Sequence, residues 1–162
     1  MFAKIAHAGQ TYNDEVPYDF HLEGVVNVLA RFGVTDSGMV CAAWLHDSLE
    51  DTNRSYNDIS KRFGVHVAET VYAVSSELGR NRTERNARTY PKIRVSGPAT
   101  VIKLADRIFN QEYGMASGGK VDMYRKEYAG FRGAIFNENH LEHWPCLTYM
   151  WAYLDKMNDF SA

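Results

Sequence analysis

Apolar residues recur along the chain mostly at steps of three and four positions, the spacing that places side chains on one face of an α-helix. No stretch alternates apolar and polar residues for long enough to indicate a β-strand. The pattern therefore predicts an all-α protein. Eight helices are predicted. One begins at Phe2, one covers 20–29, one follows a cap at Thr35 or Asp36, and one follows a cap at Ser55. The others cover 67–74, 98–108, 121–136 and 146–158. Residues 10–17 are predicted to be irregular.

Acidic and histidine side chains interrupt the third predicted helix, whose other residues are largely apolar. Glu50 follows His46 by four residues and Asp51 follows Asp47 by four, so each pair is predicted to share a face of one helix. Burying carboxylates without a nearby cation is costly, and a divalent metal ion is the most compact source of positive charge. The pattern favours a metal site, with a solvated helix end at Glu50 and Asp51 as the alternative.

A second polar cluster lies on the apolar helix predicted over 98–108. Lys103, Asp106 and Asn110 are spaced by three and four residues, which places them on one face of that helix. Asp106 is a candidate metal ligand, and a buried carboxylate paired with Arg107 or Arg125 is the alternative.

His21 lies within the apolar stripe of the second helix and is a further candidate ligand, with a satisfied core histidine as the alternative. Imidazole and carboxylate donors together suit Mn²⁺, Fe²⁺, Co²⁺ or Zn²⁺ and leave positions for water and a phosphate oxygen. The candidate ligands are therefore His21, His46, Asp47 and Asp106.

The composition describes an ordinary globular protein. With 162 residues, 45% of them hydrophobic and 23% charged, the chain is predicted to form a single domain over 1–162. A net charge of -2 argues against a nucleic-acid polymer or a membrane surface as partner, and no apolar run approaches the ~20 residues of a spanning helix. A homo-oligomer is left open.

Cysteine usage and the N-terminus bear on the compartment. Cys41 and Cys146 form no metal-binding spacing and are predicted to be core thiols, which fits a reducing compartment. No signal peptide is readable, so the predicted location is cytoplasmic.

One stretch of the chain is strongly basic. Between Arg80 and Arg94 the only acid is Glu84, against six basic residues. In a net-acidic protein, such a local concentration of cations could neutralise substrate phosphates. A solvated helix face is the alternative.

The order His21, His46-Asp47, Asp106 resembles the H…HD…D motif of the HD phosphohydrolase superfamily, an all-α fold that hydrolyses phosphate esters with a divalent metal. Longer segments are similar to the hydrolase domain of RelA/SpoT homologues, particularly the stand-alone small alarmone hydrolases. These segments are residues 7–10, 17–21, 42–52 and 102–110. The likeness extends from Ala6 to about Phe131. It implies a single HD-domain helical bundle with a metal site in its core.

The resemblance also implies an activity. Such enzymes remove the 3′-pyrophosphate from (p)ppGpp with Mn²⁺, so the expected substrate is a small-molecule nucleotide. Glu50 and Asp51 would position and activate the attacking water. One Mn²⁺ per chain, or another divalent transition metal, would be held by His21, His46, Asp47 and Asp106.

Substrate contacts follow from the same resemblance. Asn110 would help fix the nucleotide ribose or phosphate, and Arg82 would direct a cation toward the pyrophosphate. Lys103 is usual at this place in the family's helix and is predicted to contact the substrate, with a structural role as the alternative. Tyr12 and Tyr128 complete the predicted substrate-binding residues.

The chain departs from the family between Gln10 and Pro17, where these hydrolases carry an Arg-Lys-like pair and a Gly that form a guanine-stacking platform. Tyr12 could stack on a purine there, since every base has a π-face, and an ordinary surface aromatic residue is the alternative. Asp14 and Glu15 add acceptors beside the base. The base is thus left open between guanine and adenine, as in ppGpp or ppApp.

Two other functions remain as alternatives. An HD nucleotidase or NADPH-type phosphatase would use the same metal with a different leaving group. A metal-bearing but inactive nucleotide sensor would explain the altered base platform, although the intact Glu50-Asp51 pair argues against it because a sensor needs no general base.

Overall fold

A computed structural model describes residues 1–160, and most of them are helical. The helices are α1 (Phe2–Ala6), α2 (Asp19–Arg31), α3 (Ser37–Leu45), α4 (Ser48–Asp51), α5 (Tyr56–Phe63), α6 (Val65–Val74), α7 (Arg82–Arg94), α8 (Gly97–Ser117), α9 (Val121–Ile135) and α10 (Cys146–Met157). A short antiparallel hairpin joins β1 (Thr11–Tyr12) to β2 (Val16–Pro17), and Glu138–His140 form a 3₁₀ turn. The all-α class predicted from the apolar spacing is confirmed.

The hairpin corrects the prediction that residues 10–17 are irregular and that no strand is present. Asn13 and Asp14 adopt φ values of 52° and 61°, a left-handed conformation that these residue types tolerate better than most. The Glu15 N–H donates to the Tyr12 carbonyl at 3.2 Å and closes the turn. Strands of two residues are too short to produce a visible alternation of apolar and polar positions.

Helix α8 is the centre of the bundle, as its apolar sequence predicts. It begins with Pro98 in its first turn and ends at Ser117, beyond the apolar stretch that predicts it. Its buried side chains pack against α2, α6, α7 and α10. The residues on its polar face are thereby held rigidly at the middle of the molecule.

Side-chain caps fix several of the other helices. The Asp36 carboxylate accepts a hydrogen bond from the Met39 N–H at 3.0 Å, and Ser55 forms a reciprocal capping box with Asp58.

Cys41 and Cys146 are free thiols, partly buried against the core. Across residues 1–160, none of the helices is long and apolar enough to cross a membrane.

The third predicted helix is in fact two helices. α3 ends at Leu45, and Asp47 is the N-cap residue of the separate helix α4. The His46 ring donates from Nδ1 to the Ala43 carbonyl at 2.8 Å, which takes up an oxygen that a continuing helix would use. The prediction of one helix with His46 and Glu50 on a shared face is wrong. The break lies at the functional site.

Candidate metal centre and cleft

Side chains from three parts of the chain meet in a buried cluster. His21 comes from α2, His46 from the junction of α3 and α4, and Asp106 from α8, and each offers a ligand atom within 4.8 Å of the others. The two imidazole Nε2 atoms are 3.3 Å apart. The Asp47 Oδ2 atom lies 2.9 Å from Nε2 of His46 and 3.3 Å from Nε2 of His21. The four residues predicted as metal ligands are therefore neighbours in space.

The chemistry of this donor set fits a divalent cation. Because the Nδ1 atom of His46 donates to the Ala43 carbonyl, its Nε2 atom faces the cluster as the potential ligand. Burial lowers the pKa of His46, but the negative charges of Asp47 and Asp106 outweigh that effect and raise it to about 9. The carboxylates thus favour positive charge at this position, which a bound metal would supply while leaving the imidazole neutral.

Asp106 is held by two neighbours on its own helix. The Lys103 ammonium lies 3.0 Å from Oδ2, and the Asn110 amide donates to Oδ1 at 2.5 Å. Burial would raise the pKa of Asp106, but the charge of Lys103 and those of the two imidazoles lower it instead. The shared helix face predicted for these three residues is confirmed, and the alternative pairing with Arg107 or Arg125 does not occur.

The two predicted catalytic carboxylates have different surroundings. Glu50 lines the cleft beside the cluster, and its Oε1 atom accepts a hydrogen bond from the Ser76 N–H at 2.7 Å. Desolvation of the carboxyl group raises the pKa of Glu50. Asp51 does not line that cleft, and its Oδ2 atom lies 3.1 Å from the Tyr18 hydroxyl. Glu50 is therefore better placed to meet a molecule bound in the cleft.

The cleft has a volume of about 260 Å³ and joins the cluster to a basic wall. Arg82 and Arg85 from α7 and Arg107 from α8 contribute to that wall. The Arg82 guanidinium contacts both carboxylate oxygens of Glu127, with the shortest contact at 2.9 Å. The lining residues are Tyr12, Tyr18, His21, Asp47, Glu50, Ser76, Arg82, Arg85, Asn86, Tyr90, Lys103, Asp106, Arg107, Asn110 and Tyr124.

The basic stretch thus divides into two groups. Arg82 and Arg85 face the cleft, whereas Arg80 pairs with Glu84 and Arg88 donates to the Leu78 carbonyl at 2.8 Å. Among these four arginines, the predicted role in neutralising phosphates therefore fits only Arg82 and Arg85. Arg80 and Arg88 make surface contacts instead.

Arg107 is a cleft residue that the sequence did not single out. It is 3% exposed, its guanidinium donates to the Tyr124 carbonyl at 2.7 Å, and it lies 3.7 Å from the Glu127 carboxylate. The sequence offered one signal, an arginine within an almost wholly apolar helix. That arginine was interpreted only as a partner for Asp106.

The two predicted tyrosine contacts have different outcomes. Tyr128 lies outside the lining of the cleft, is 1% exposed, and donates its hydroxyl to Asp155 at 2.5 Å. This position gives it a structural role and corrects its assignment as a substrate contact. Tyr12 does line the cleft, where its ring is stacked on that of His21 and its hydroxyl donates to Asn110.

Comparison with known proteins decides the family. A family model described as an HD domain matches residues 1–113, which include all four clustered side chains. The chain belongs to the HD-domain family. This HD domain is 33% identical over 113 residues to the guanosine-3′,5′-bis(diphosphate) 3′-pyrophosphohydrolase MESH1 of Danio rerio, an alignment that covers 67% of this chain and 63% of that protein.

Two further relatives extend the comparison. The HD domain is 37% identical over 117 residues to the bifunctional (p)ppGpp synthase/hydrolase SpoT of Escherichia coli strain K12, covering 68% of this chain and 16% of SpoT. A solved structure, described as a metazoan orthologue of SpoT that hydrolyses ppGpp, superposes with a TM-score of 0.74 at 27% identity. That superposition covers 94% of this chain and 91% of the other. The fold is therefore shared well beyond residue 113.

Proposed function

We propose that this HD domain is a metal-dependent hydrolase that removes the 3′-diphosphate of an alarmone such as ppGpp or ppApp. One observation carries the proposal: the His/Asp cluster, the Glu50 carboxylate and a basic wall all border the same cleft. The named activities of MESH1 and SpoT support it, since both act on guanosine bis(diphosphate). The chain aligns with less than two thirds of each relative, so the substrate is inferred from the site together with this similarity.

The proposed ion is Mn²⁺, one per chain, held by His21, His46, Asp47 and Asp106. Mixed imidazole and carboxylate donors suit this ion, and they also suit Fe²⁺, Co²⁺ and Zn²⁺. When bound, the ion would supply Lewis acidity toward water and toward a phosphoryl oxygen.

The chain's own residues would carry the remaining steps. Glu50 would take a proton from the attacking water, a role that suits a carboxyl group whose pKa is raised by desolvation. Arg82 and Arg85 would neutralise phosphate oxygens along the basic wall. Lys103 and Asn110 line the cleft beside Asp106 and would contact the nucleotide. Asp51 would orient the water indirectly, through Tyr18 and Asp47.

The cytoplasmic location stays a prediction.

A substrate panel tests the proposed function. The purified protein with Mn²⁺ is offered ppGpp, ppApp and NADPH, and released pyrophosphate and orthophosphate are measured separately. We expect one pyrophosphate per alarmone consumed, and kcat/KM values for ppApp and ppGpp within ~10-fold of each other, because residues 10–17 lack the cationic pair that forms a guanine platform in the similar hydrolases. Orthophosphate from NADPH, with no pyrophosphate from either alarmone, would instead identify a phosphatase. Nucleotide binding without any turnover would identify the sensor.

A further inference from the structure

The two imidazoles of the cluster are oriented in different ways. His46 donates from Nδ1 to a backbone carbonyl, as metal-ligating histidines commonly do. The Nδ1 atom of His21 is buried and has no hydrogen-bond partner among residues 1–160. The orientation of the His21 ring therefore depends on the rings packed against it and on the contacts of its Nε2 atom within the cluster.

Tyr12 is stacked on the His21 ring, and three further aromatic rings contact that ring at an angle. The Tyr12 ring is nearly parallel to that of His21, with centroids 4.9 Å apart and planes inclined by 8°. Phe109 and Tyr113 of α8 hold the Tyr12 ring in turn, with centroid distances of 5.9 and 5.1 Å. Rotation of the His21 imidazole is limited by this stack, so its Nε2 atom stays directed at the cluster.

Tyr12 also reaches a second ligand through hydrogen bonds. Its hydroxyl donates to Oδ1 of Asn110 at 2.5 Å, and the Asn110 amide donates to Oδ1 of Asp106 at 2.5 Å. That same Asp106 oxygen lies 3.5 Å from Nε2 of His21. The chain of bonds thus ends on the carboxylate oxygen that faces the cluster.

We propose that Tyr12 is a positioning residue of the metal centre, orienting the His21 imidazole by ring stacking and the Asp106 carboxylate through Asn110. The proposal rests on the metal-dependent function proposed above. One face of the Tyr12 ring is engaged by His21, so its main contribution is to the metal ligands and not to a nucleobase. The hairpin is then the structural support of the cluster on its cleft side.

Metal affinity tests the proposal independently of turnover. Co²⁺ binding to metal-free protein is measured by calorimetry, and the visible Co²⁺ spectrum reports the coordination geometry. Tyr12→Phe keeps the stack and loses the hydroxyl, so we expect about 10-fold weaker binding. Tyr12→Leu loses both contacts, and we expect about 100-fold weaker binding with an altered spectrum.

A matched control separates positioning from general destabilisation. Tyr113→Phe keeps the ring that packs against Tyr12 and loses a similar hydroxyl bond between α8 and the hairpin, to Glu15 at 2.8 Å, which involves no candidate metal ligand. We expect wild-type Co²⁺ affinity for this variant. The metal-free melting temperature of Tyr12→Phe should match that of Tyr113→Phe. If Tyr12 only stabilised the fold, its substitution would lower the melting temperature further and leave the Co²⁺ spectrum unchanged.

Each outcome decides between the two proposals. Wild-type Co²⁺ affinity in both Tyr12 variants would overturn the role of Tyr12 while leaving the proposed function intact. Weakened Co²⁺ binding in these variants, together with a wild type that hydrolyses no alarmone, would support Tyr12 and overturn the substrate. A wild type that binds no Co²⁺ would overturn both. In a double-mutant cycle, Tyr12→Phe and Asn110→Ala should be non-additive in Co²⁺ affinity, because both interrupt the same chain of bonds.

Discussion

His46→Ala and Asp106→Ala are each expected to abolish metal binding, lowering the metal content from about one ion per chain to near zero. Each change removes one of the donor atoms that converge on the cluster, so the remaining side chains no longer complete the site. Elemental analysis of the protein after metal loading and gel filtration measures the result. Turnover of the alarmone should be lost in parallel.

An exposed histidine provides the control for this pair. His143 lies on the surface, outside the residues that line the cleft, so His143→Ala should retain one ion per chain. Full metal content in either ligand variant would show that the ion binds elsewhere, and it would remove the basis for the proposed mechanism.

Glu50→Gln is expected to lower turnover by ~10²-fold or more while leaving metal content unchanged, the usual effect of losing a positioned general base. The amide keeps the size of the side chain and can still accept from the Ser76 N–H, so the local structure should persist. Metal content and nucleotide affinity should both be retained in the isolated variant. Steady-state kinetics at saturating substrate measures the loss in kcat.

Asp51→Asn distinguishes the two acids, because Asp51 lies outside the cleft lining and bonds to Tyr18. Its effect on kcat should be smaller than that of Glu50→Gln. Glu69→Gln removes a carboxylate whose partner is Tyr56 on the surface, and its kcat should equal that of wild type. A larger loss for Asp51→Asn than for Glu50→Gln would show that the base is assigned to the wrong carboxylate.

Much of the fold was predictable because it depends on local rules. Apolar spacing located most of the helices, although not α7 or the separate α4. Asp36 and Ser55 marked two helix starts, and the almost wholly apolar segment around Ile102 predicted the central helix. The shared face of Lys103 and Asp106 followed from helix geometry alone. Such inferences need no knowledge of how the helices pack.

What the sequence did not reveal depends on contacts between distant segments. Helix α3 ends at Leu45, where the His46 ring donates to the Ala43 carbonyl, and His46 lies beside Asp106 of α8 instead of sharing a helix face with Glu50. The pairing of Arg82 with Glu127 joins residues 45 positions apart, which no helical spacing predicts. The likeness to known hydrolases led to Tyr128 as a substrate contact, whereas its burial against Asp155 excludes that role. The stack of Tyr12 on His21 requires the hairpin, whose strands are too short to predict.

The central claim is that an ion held by this cluster makes the HD domain an alarmone hydrolase. Titration of metal-free protein with Mn²⁺, with pyrophosphate release from ppGpp as the readout, tests it most directly. Activity should be absent at the start, rise in proportion to added Mn²⁺, and reach a plateau at about one ion per chain. Full pyrophosphate release before any Mn²⁺ is added, or none at any Mn²⁺ concentration, would contradict the account.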